Sequence, residues 1–411
     1  PRNSEPLSQG QLEQAGGRPC AVARSFSSIA AAVNAVAALS SATPARSCLR
    51  NSLVLFLSHT RPKMLAVVAH VCGFAAPPAL LPSFSVGEFN LTLDPQTQHV
   101  ASLTVPASDL SSGVFDFLPN ASTFHASHYL GDVTMRVRAA GASQNFTLLT
   151  TGGALAAKAA PLPAKPDELA AANLTGTLAT NLSLALERHY VRADHGVQMR
   201  FELTNKGSTA IEIGAWGAAM VFDTMAAKQR DLDAMAGNCS FVDPAICGEG
   251  GWVSATRMTG TGGVLLVVPE EGIGVQAWRL MRESSVPWAY ELTSLTKAWA
   301  EDEWKDAKGA PWVPPTSLHL APGATAAFTY RLLLAPSVRE KDDALAAAGF
   351  AVVQAVPSWT IATDMRNATL HVLPPRGSTI KQVDVAPAAS ILTGAPQPIG
   401  KKGFFSVPLR G

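Results

Sequence analysis

The stretch Leu182–Gly207, LSLALERHYVRADHGVQMRFELTNKG, decides the fold class of this chain. Within it Leu182, Leu184 and Leu186, then Val197, Met199, Phe201 and Leu203, recur at every second position. A period of two puts those side chains on one face of an extended backbone and the intervening polar ones on the other. Leu182–Val191 and Val197–Thr204 therefore read as antiparallel strands, and Asn205-Lys206-Gly207 as a turn joining two strands in a hairpin.

The same texture extends outward in both directions. From Ser83 onward, short runs separated by turn residues predict strands at Val86–Leu93, His99–Val105, Val114–Phe117, Val133–Val137, Ile211–Ile213, Gly263–Val268, Gly274–Trp278 and Ala326–Leu334, the last closed by Pro336. Helical periodicity is scarce. The prediction is a mainly β protein, with one large antiparallel β-sandwich over residues 84–335 and a Pro/Ala-rich loop at 152–170 as its main insertion.

Residues 336–358 are expected to be a helical linker. Ser337 is placed to cap it, Glu340 stands at the capping-box position, and Gly349 stops the run SVREKDDALAAAG. Strand patterns resume at Ala368–Val372 and Ile380–Val385, so residues 359–411 form a small, partial β-module. Residues 1–63 are rich in Ala, Ser and Arg without periodicity, which predicts a disordered leader or an extension of the gene product. Residues 64–82, with Arg61 and Lys63 before a short apolar run, have the pattern of a signal peptide, and no clean membrane span is expected in the mature chain.

With 47% hydrophobic and 15% charged residues among 411, the chain can bury a large core. Its 32 basic and 31 acidic residues are spread without long runs, which argues against nucleic acid or an anionic membrane as partner. Seven of eleven asparagines head Asn-X-Ser/Thr triplets: Asn90, Asn120, Asn145, Asn173, Asn181, Asn238 and Asn367. Chance placement would give about 1.6, and such an acceptor matters only on a wet surface in the secretory pathway. The chain is expected to be a secreted, extracellular glycoprotein. In that compartment Cys239 and Cys247, in a Gly/Pro/Asp-bearing loop, are the expected disulfide.

Familiar catalytic motifs are missing, and neither a metal nor another cofactor is expected. His125 and His128 are three apart but lack an obvious carboxylate companion, and His99, His189, His195 and His319 lie in or beside predicted strands. Six of eight tryptophans crowd into residues 252–312. Indole rings stack on the CH-rich faces of sugars while carboxylates and amides take the hydroxyls, so a polysaccharide or other glycan is the expected partner. The candidate binding residues are Trp252, Glu291, Trp299, Glu301, Glu303, Trp304 and Trp312, with a second polar group at Arg230 and Asp231. The competing account is that these tryptophans fill the core of the sandwich.

The tracts Tyr290-Glu291-Leu292, Lys297–Lys305 (KAWAEDEWK), Pro311–Ser317 (PWVPPTS) and Cys239–Pro244 (CSFVDP) resemble an uncharacterised family, domain of unknown function 5695. The resemblance spans roughly residues 84–411. It implies secreted, glycosidase-type proteins with an N-terminal supersandwich similar to galactose mutarotase, a linker and a later helical domain, which this sequence does not reach. If active, the chain is expected to be glycoside-hydrolase-like, with catalytic residues that the resemblance does not supply. The functions in view are a glycan-binding or supporting sandwich, a non-catalytic structural or adhesive extracellular glycoprotein and, third, an aldose-mutarotase-like activity, which needs one of those strand histidines as acid and a carboxylate as base in one concave sheet face.

Overall fold

The computed structural model describes residues 81–118, 128–222, 232–270, 272–281, 289–309, 313–357, 367–384, 392–400 and 402–410. The expected leader and nearly all of the signal-like segment lie outside them, as do Asn120, His125, Arg230, Asp231 and Trp312. All the described strands belong to one compact unit, Pro78–Gly411.

Four antiparallel sheets make up that unit. The first is a meander of β1 (Ser83–Val86), β2 (Phe89–Leu93), β3 (Val100–Pro106) and β4 (Val114–Asp116). The second has eight strands in the order β12 (Ser240–Ala245), β13 (Trp252–Arg257), β14 (Val264–Pro269), β18 (Thr325–Ala335), β10 (Gly196–Asn205), β9 (Leu184–Ala193), β8 (Glu168–Asn173) and β7 (Ala160–Leu162). The third runs β15 (Ala277–Leu280), β16 (Tyr290–Leu295), β11 (Ile211–Met220), β5 (Val133–Ala139) and β6 (Thr147–Thr150), with β17 (Leu318–Leu320) also paired to β11. The fourth joins β19 (Val352–Val356), β20 (Ala368–Leu373), β23 (Phe404–Arg410) and β21 (Leu392–Thr393), with β22 (Gln397–Ile399) on β23. Short helices α1 (Leu232–Asn238), α2 (Lys297–Glu301) and α3 (Lys341–Ala347) lie between strands.

The alternation seen in the sequence maps onto two facing layers. Val197, Met199, Phe201 and Leu203 of β10 and Val133, Met135 and Val137 of β5 point into one common core, while the intervening residues point outward. Trp216 sits between the layers: it stacks on Phe328 at 3.8 Å, meets Phe201 edge-on at 5.8 Å, and its indole N–H donates to the Tyr330 hydroxyl at 3.0 Å. The first sheet contributes Phe89, Leu91, Leu103 and Phe115 to the same core.

Several local expectations are corrected. Val86–Leu93 is two strands, because Gly87 takes φ +58 in a two-residue turn that pairs Val86 with Phe89. The hairpin closing β9 and β10 uses Asp194-His195, with His195 at φ +67. Asn205-Lys206-Gly207 closes no hairpin, since β10 and β11 belong to different sheets. There the Asn205 amide donates to the carbonyls of Thr209 (2.9 Å) and Leu320 (3.0 Å) and its oxygen accepts from Gly207 N–H, so the side chain braces a crossover. The 152–170 loop contains β7 and the start of β8, whose ELAAAN sequence is buried too evenly to alternate. Ile380–Asp384 carries no strand.

Residues 337–349 are helical as expected, though as a short 3-10 turn, Val338–Glu340, leading into α3. Ser337 donates to the Glu340 carboxylate (2.9 Å) rather than capping a backbone N–H, and Gly349 ends the run at φ +95. Leu345 and Ala346 of α3, with Val352 and Leu373, cover Val264, Leu266, Val268, Leu333 and Ala335 on the outer side of the eight-stranded sheet.

Cys239 and Cys247 are not bonded to each other. They flank β12, whose six extended residues separate them by about 20 Å, whereas a disulfide holds its Cα atoms within about 7 Å.

Trp216→Ala should remove the wedge between the layers and cost about 3–5 kcal/mol, and Trp216→Phe clearly less. Urea denaturation followed by circular dichroism checks this; a loss below about 1 kcal/mol for the alanine variant would contradict the packing described.

Candidate functional site

Strand β5 reads VTMRVRA, and its period of two turns Thr134, Arg136 and Arg138 away from the core onto the outer side of the six-stranded sheet. On the neighbouring strand β11, Gly217 faces Thr134 and Thr293, and Glu212 faces Arg138. Glu291 of β16 and Arg279 of β15 stand opposite each other in register. One sheet face thus collects two carboxylates, three guanidinium groups and two threonines from four strands.

Glu291 is fully buried. Its carboxylate accepts from Arg279 Nε at 2.6 Å and from the Thr134 hydroxyl. A Cβ at position 217 would overlap this carboxyl group, so glycine makes room for it. Helix α2 lays Trp299 over the same spot, with the Arg136 guanidinium 3.4 Å from the ring centroid and that of Arg279 3.8 Å from it. Arg136 then reaches Asp302 (3.1 Å) and Glu303 (3.0 Å) at the exposed rim. Three buried polar atoms here have no hydrogen-bond partner among the described residues: Thr293 Oγ1, Trp299 Nε1 and Arg136 Nε.

A second knot lies beside the first. Arg138 Nε donates to Glu212 at 2.8 Å, Arg138 Nη1 to Glu301 at 3.0 Å, and its guanidinium stacks 3.9 Å above Phe146. Lys297 Nζ (2.5 Å) and the Ser317 hydroxyl (2.9 Å) complete the shell around Glu212, with His319 Nε2 3.7 Å away. Burial alone would raise the Glu212 carboxyl, but donation from Lys297, Arg138 and Ser317 outweighs it and pushes the carboxyl down to about 2.

Of the residues singled out in the sequence, Glu291, Trp299, Glu301, Glu303 and Trp304 come together on this face. Trp299 is buried, Trp304 is half-buried against it, and Glu301 and Glu303 lie on the rim. Trp252 does not join them: it opens β13 of the other large sheet, half-buried beneath Lys341 Nζ at 4.3 Å. Sequence reasoning missed Thr134, Arg136, Arg138, Glu212 and Arg279. The polar alternation in VTMRVRA was the available signal for the first three; Arg279 and Glu212 depend on strand register.

Residues 92–405 match a family of unknown function (DUF5695), and the chain belongs to that family. No curated protein matches. Among solved structures, a polysaccharide lyase aligns at TM-score 0.53 and 12% identity, over 80% of this chain and 44% of the lyase. At that identity the likeness shows a shared fold, and the chain spans less than half of the lyase's length. A galactose mutarotase related enzyme from Lactobacillus acidophilus aligns at TM-score 0.35 and 8% identity, over 63% of this chain and 98% of that one. A GH36 alpha-galactosidase from Geobacillus stearothermophilus aligns at 0.32 and 8%, over 62% and 40%.

Because its folded pKa lies below the ordinary value of 4.5, Glu212 stabilises the fold above that pH, and the contribution fades as pH falls toward about 2. At neutral pH it is worth about 3 kcal/mol. Glu212→Gln should cost a similar amount at pH 7 and flatten the acid limb of stability between about pH 5 and 2, as read from urea midpoints. An unchanged acid limb would contradict this assignment.

Proposed function

We propose that this member of the family is the glycan-binding or supporting β-sandwich of a secreted, carbohydrate-active glycoprotein, and that the outer face of the six-stranded sheet is where glycan docks. The observation that carries the reading is the convergence of Trp304, Glu301, Asp302 and Glu303 on an open rim above buried polar atoms that have no hydrogen-bond partner among the described residues. Sugar hydroxyls donate and accept at once, so they match a rim of carboxylates and guanidinium groups. Since Arg136 and Arg138 are paired with Asp302, Glu303, Glu212 and Glu301, the face presents little net field, which favours a neutral polysaccharide over an acidic one.

Secretion is supported by the acceptor asparagines. Asn145, Asn181, Asn238 and Asn367 are exposed, and Asn90 and Asn173 are half-buried. If a hydrolytic step is performed, its acid and base are to be sought within the whole protein rather than assigned to Glu291, which Arg279 and Thr134 hold under Trp299.

A second reading has its own observation. Both faces of the Trp299 indole are already occupied by guanidinium groups, so this ring cannot stack on a sugar. A purely structural or adhesive extracellular glycoprotein would use the lattice only to seal the sheet.

Titration calorimetry against a panel of neutral and acidic polysaccharides separates the two. Trp304→Ala and Glu303→Gln should each weaken binding to a neutral member about tenfold, equivalent to about 1.4 kcal/mol, with unchanged circular dichroism. No binding to any member leaves the structural reading standing. Expression in a eukaryotic host should place the protein in the medium, with a mass that falls on peptide-N-glycosidase treatment; an intracellular product of unchanged mass would overturn secretion.

A further inference from the structure

On the outer side of the eight-stranded sheet, away from the face just described, β9 presents Glu187 and His189 two residues apart on one side. Across the ladder, Glu202 of β10 stands directly opposite Glu187. Like charges in that position repel unless something lies between them. Arg200 answers part of the charge, with Nη2 2.7 Å from Glu202 Oε1, and among the described residues Glu187 makes ionic contact with His189 only.

His189 supplies a second, independent observation. Only 4% of it is exposed, yet among the described residues neither ring nitrogen has a hydrogen-bond partner. Nδ1 lies 3.0 Å from Glu168 Oε1, in charge contact but not aligned as a hydrogen bond, and Nε2 lies 3.5 Å from Glu187 Oε2. One ligand atom from each of Glu187, His189 and Glu202 falls within 4.8 Å of the others. Nitrogen and oxygen ligands bound at 2.0–2.1 Å around a tetrahedral ion sit about 3.3 Å apart, close to the His189–Glu187 separation.

We propose that Glu187, His189 and Glu202 bind a divalent transition-metal ion of the zinc type, with Glu168 behind His189 Nδ1. A proton on Nδ1, 3.0 Å from the Glu168 carboxylate, leaves the Nε2 lone pair for the metal, and a small turn of the ring on binding would align that proton on Glu168, as carboxylates do behind ligating imidazoles. One histidine and two carboxylates suit zinc, and the 43% exposed side chain of Glu187 gives an ion a way in and water the remaining position. The ion would also neutralise the opposed Glu187 and Glu202 carboxylates.

The full chain, stripped with chelator, is titrated with zinc chloride by calorimetry and with cobalt chloride by visible absorption. One equivalent should bind, with the d–d bands of a low-coordinate cobalt site and a rise in melting temperature in zinc. His189→Ala should remove the site, and Glu187→Gln, whose side chain is partly exposed, should weaken binding about 10–100-fold while leaving the circular dichroism unchanged. If His189→Ala fails to fold, Glu187→Gln and Glu202→Gln decide the matter. Absence of binding at millimolar metal, or affinity within twofold of the parent in every folded variant, overturns the proposal.

Discussion

All ten residues of β11, IEIGAWGAAM, are buried, and a strand covered on both sides cannot alternate apolar with polar. Ile211, Ile213, Trp216, Ala218 and Met220 go to the core between the layers, and on the opposite side every residue after Glu212 is small: Gly214, Ala215, Gly217 and Ala219. At Gly214 a Cβ would run into the Phe146 ring and come within 3.0 Å of Ala298, and at Gly217 it would meet the Glu291 carboxyl. That thinness lets α2 lie against the sheet and sets Trp299 between Arg136 and Arg279. The candidate site is thus built on a strand face that carries one long side chain, Glu212, and otherwise only glycine and alanine.

Two guanidinium groups on one indole repel each other, so the stack holds only because each has its own carboxylates. Glu291 meets Arg279 from beneath, and Asp302 and Glu303 meet Arg136 from the rim. These pairs differ in worth. The rim pairs are solvent-exposed and contribute at most about 1 kcal/mol each, whereas Glu291 is fully buried, and removing one partner would strand a charge at a cost of several kcal/mol. The rim can therefore open to a ligand at little expense to the fold, while the buried end fixes the geometry.

The sandwich was legible wherever one strand face is wet. In β9, β10 and the first half of β18 the period of two survives because most outward residues reach water, and in β5 because its outward residues, though covered, are polar; the predicted runs fall on observed strands. It is illegible where both faces are covered: β11 is visible only as Ile211–Ile213, and β8 gives no strand pattern and begins inside the predicted 152–170 loop, since Gly and Ala carry no amphipathic signal. Within the tryptophan-rich tract Trp299 and Trp304 meet Glu291, Glu301 and Glu303, but sequence cannot say that Arg136 and Arg279 would occupy both faces of Trp299. Those arginines lie 163 and 20 positions from it, and only sheet register brings them there.

The same logic divides the outer side of the eight-stranded sheet. β14 reads VLLVVP and is buried at all six positions, which demands a cover, and α3 with β19 and β20 supplies one. β10 reads GVQMRFELTN and keeps Gln198, Arg200, Glu202 and Thr204 on that same outer side, outside the apolar cluster that α3 covers. Outward polar residues on such a face are ordinarily hydrated and need no partner. His189 departs from that rule: it is buried among them without a hydrogen bond to any described residue, at a cost of about 1–3 kcal/mol for an unsatisfied polar group unless a ligand repays it. Charge on the uncovered half of this sheet is thus spatially selective rather than a general solubilising coat.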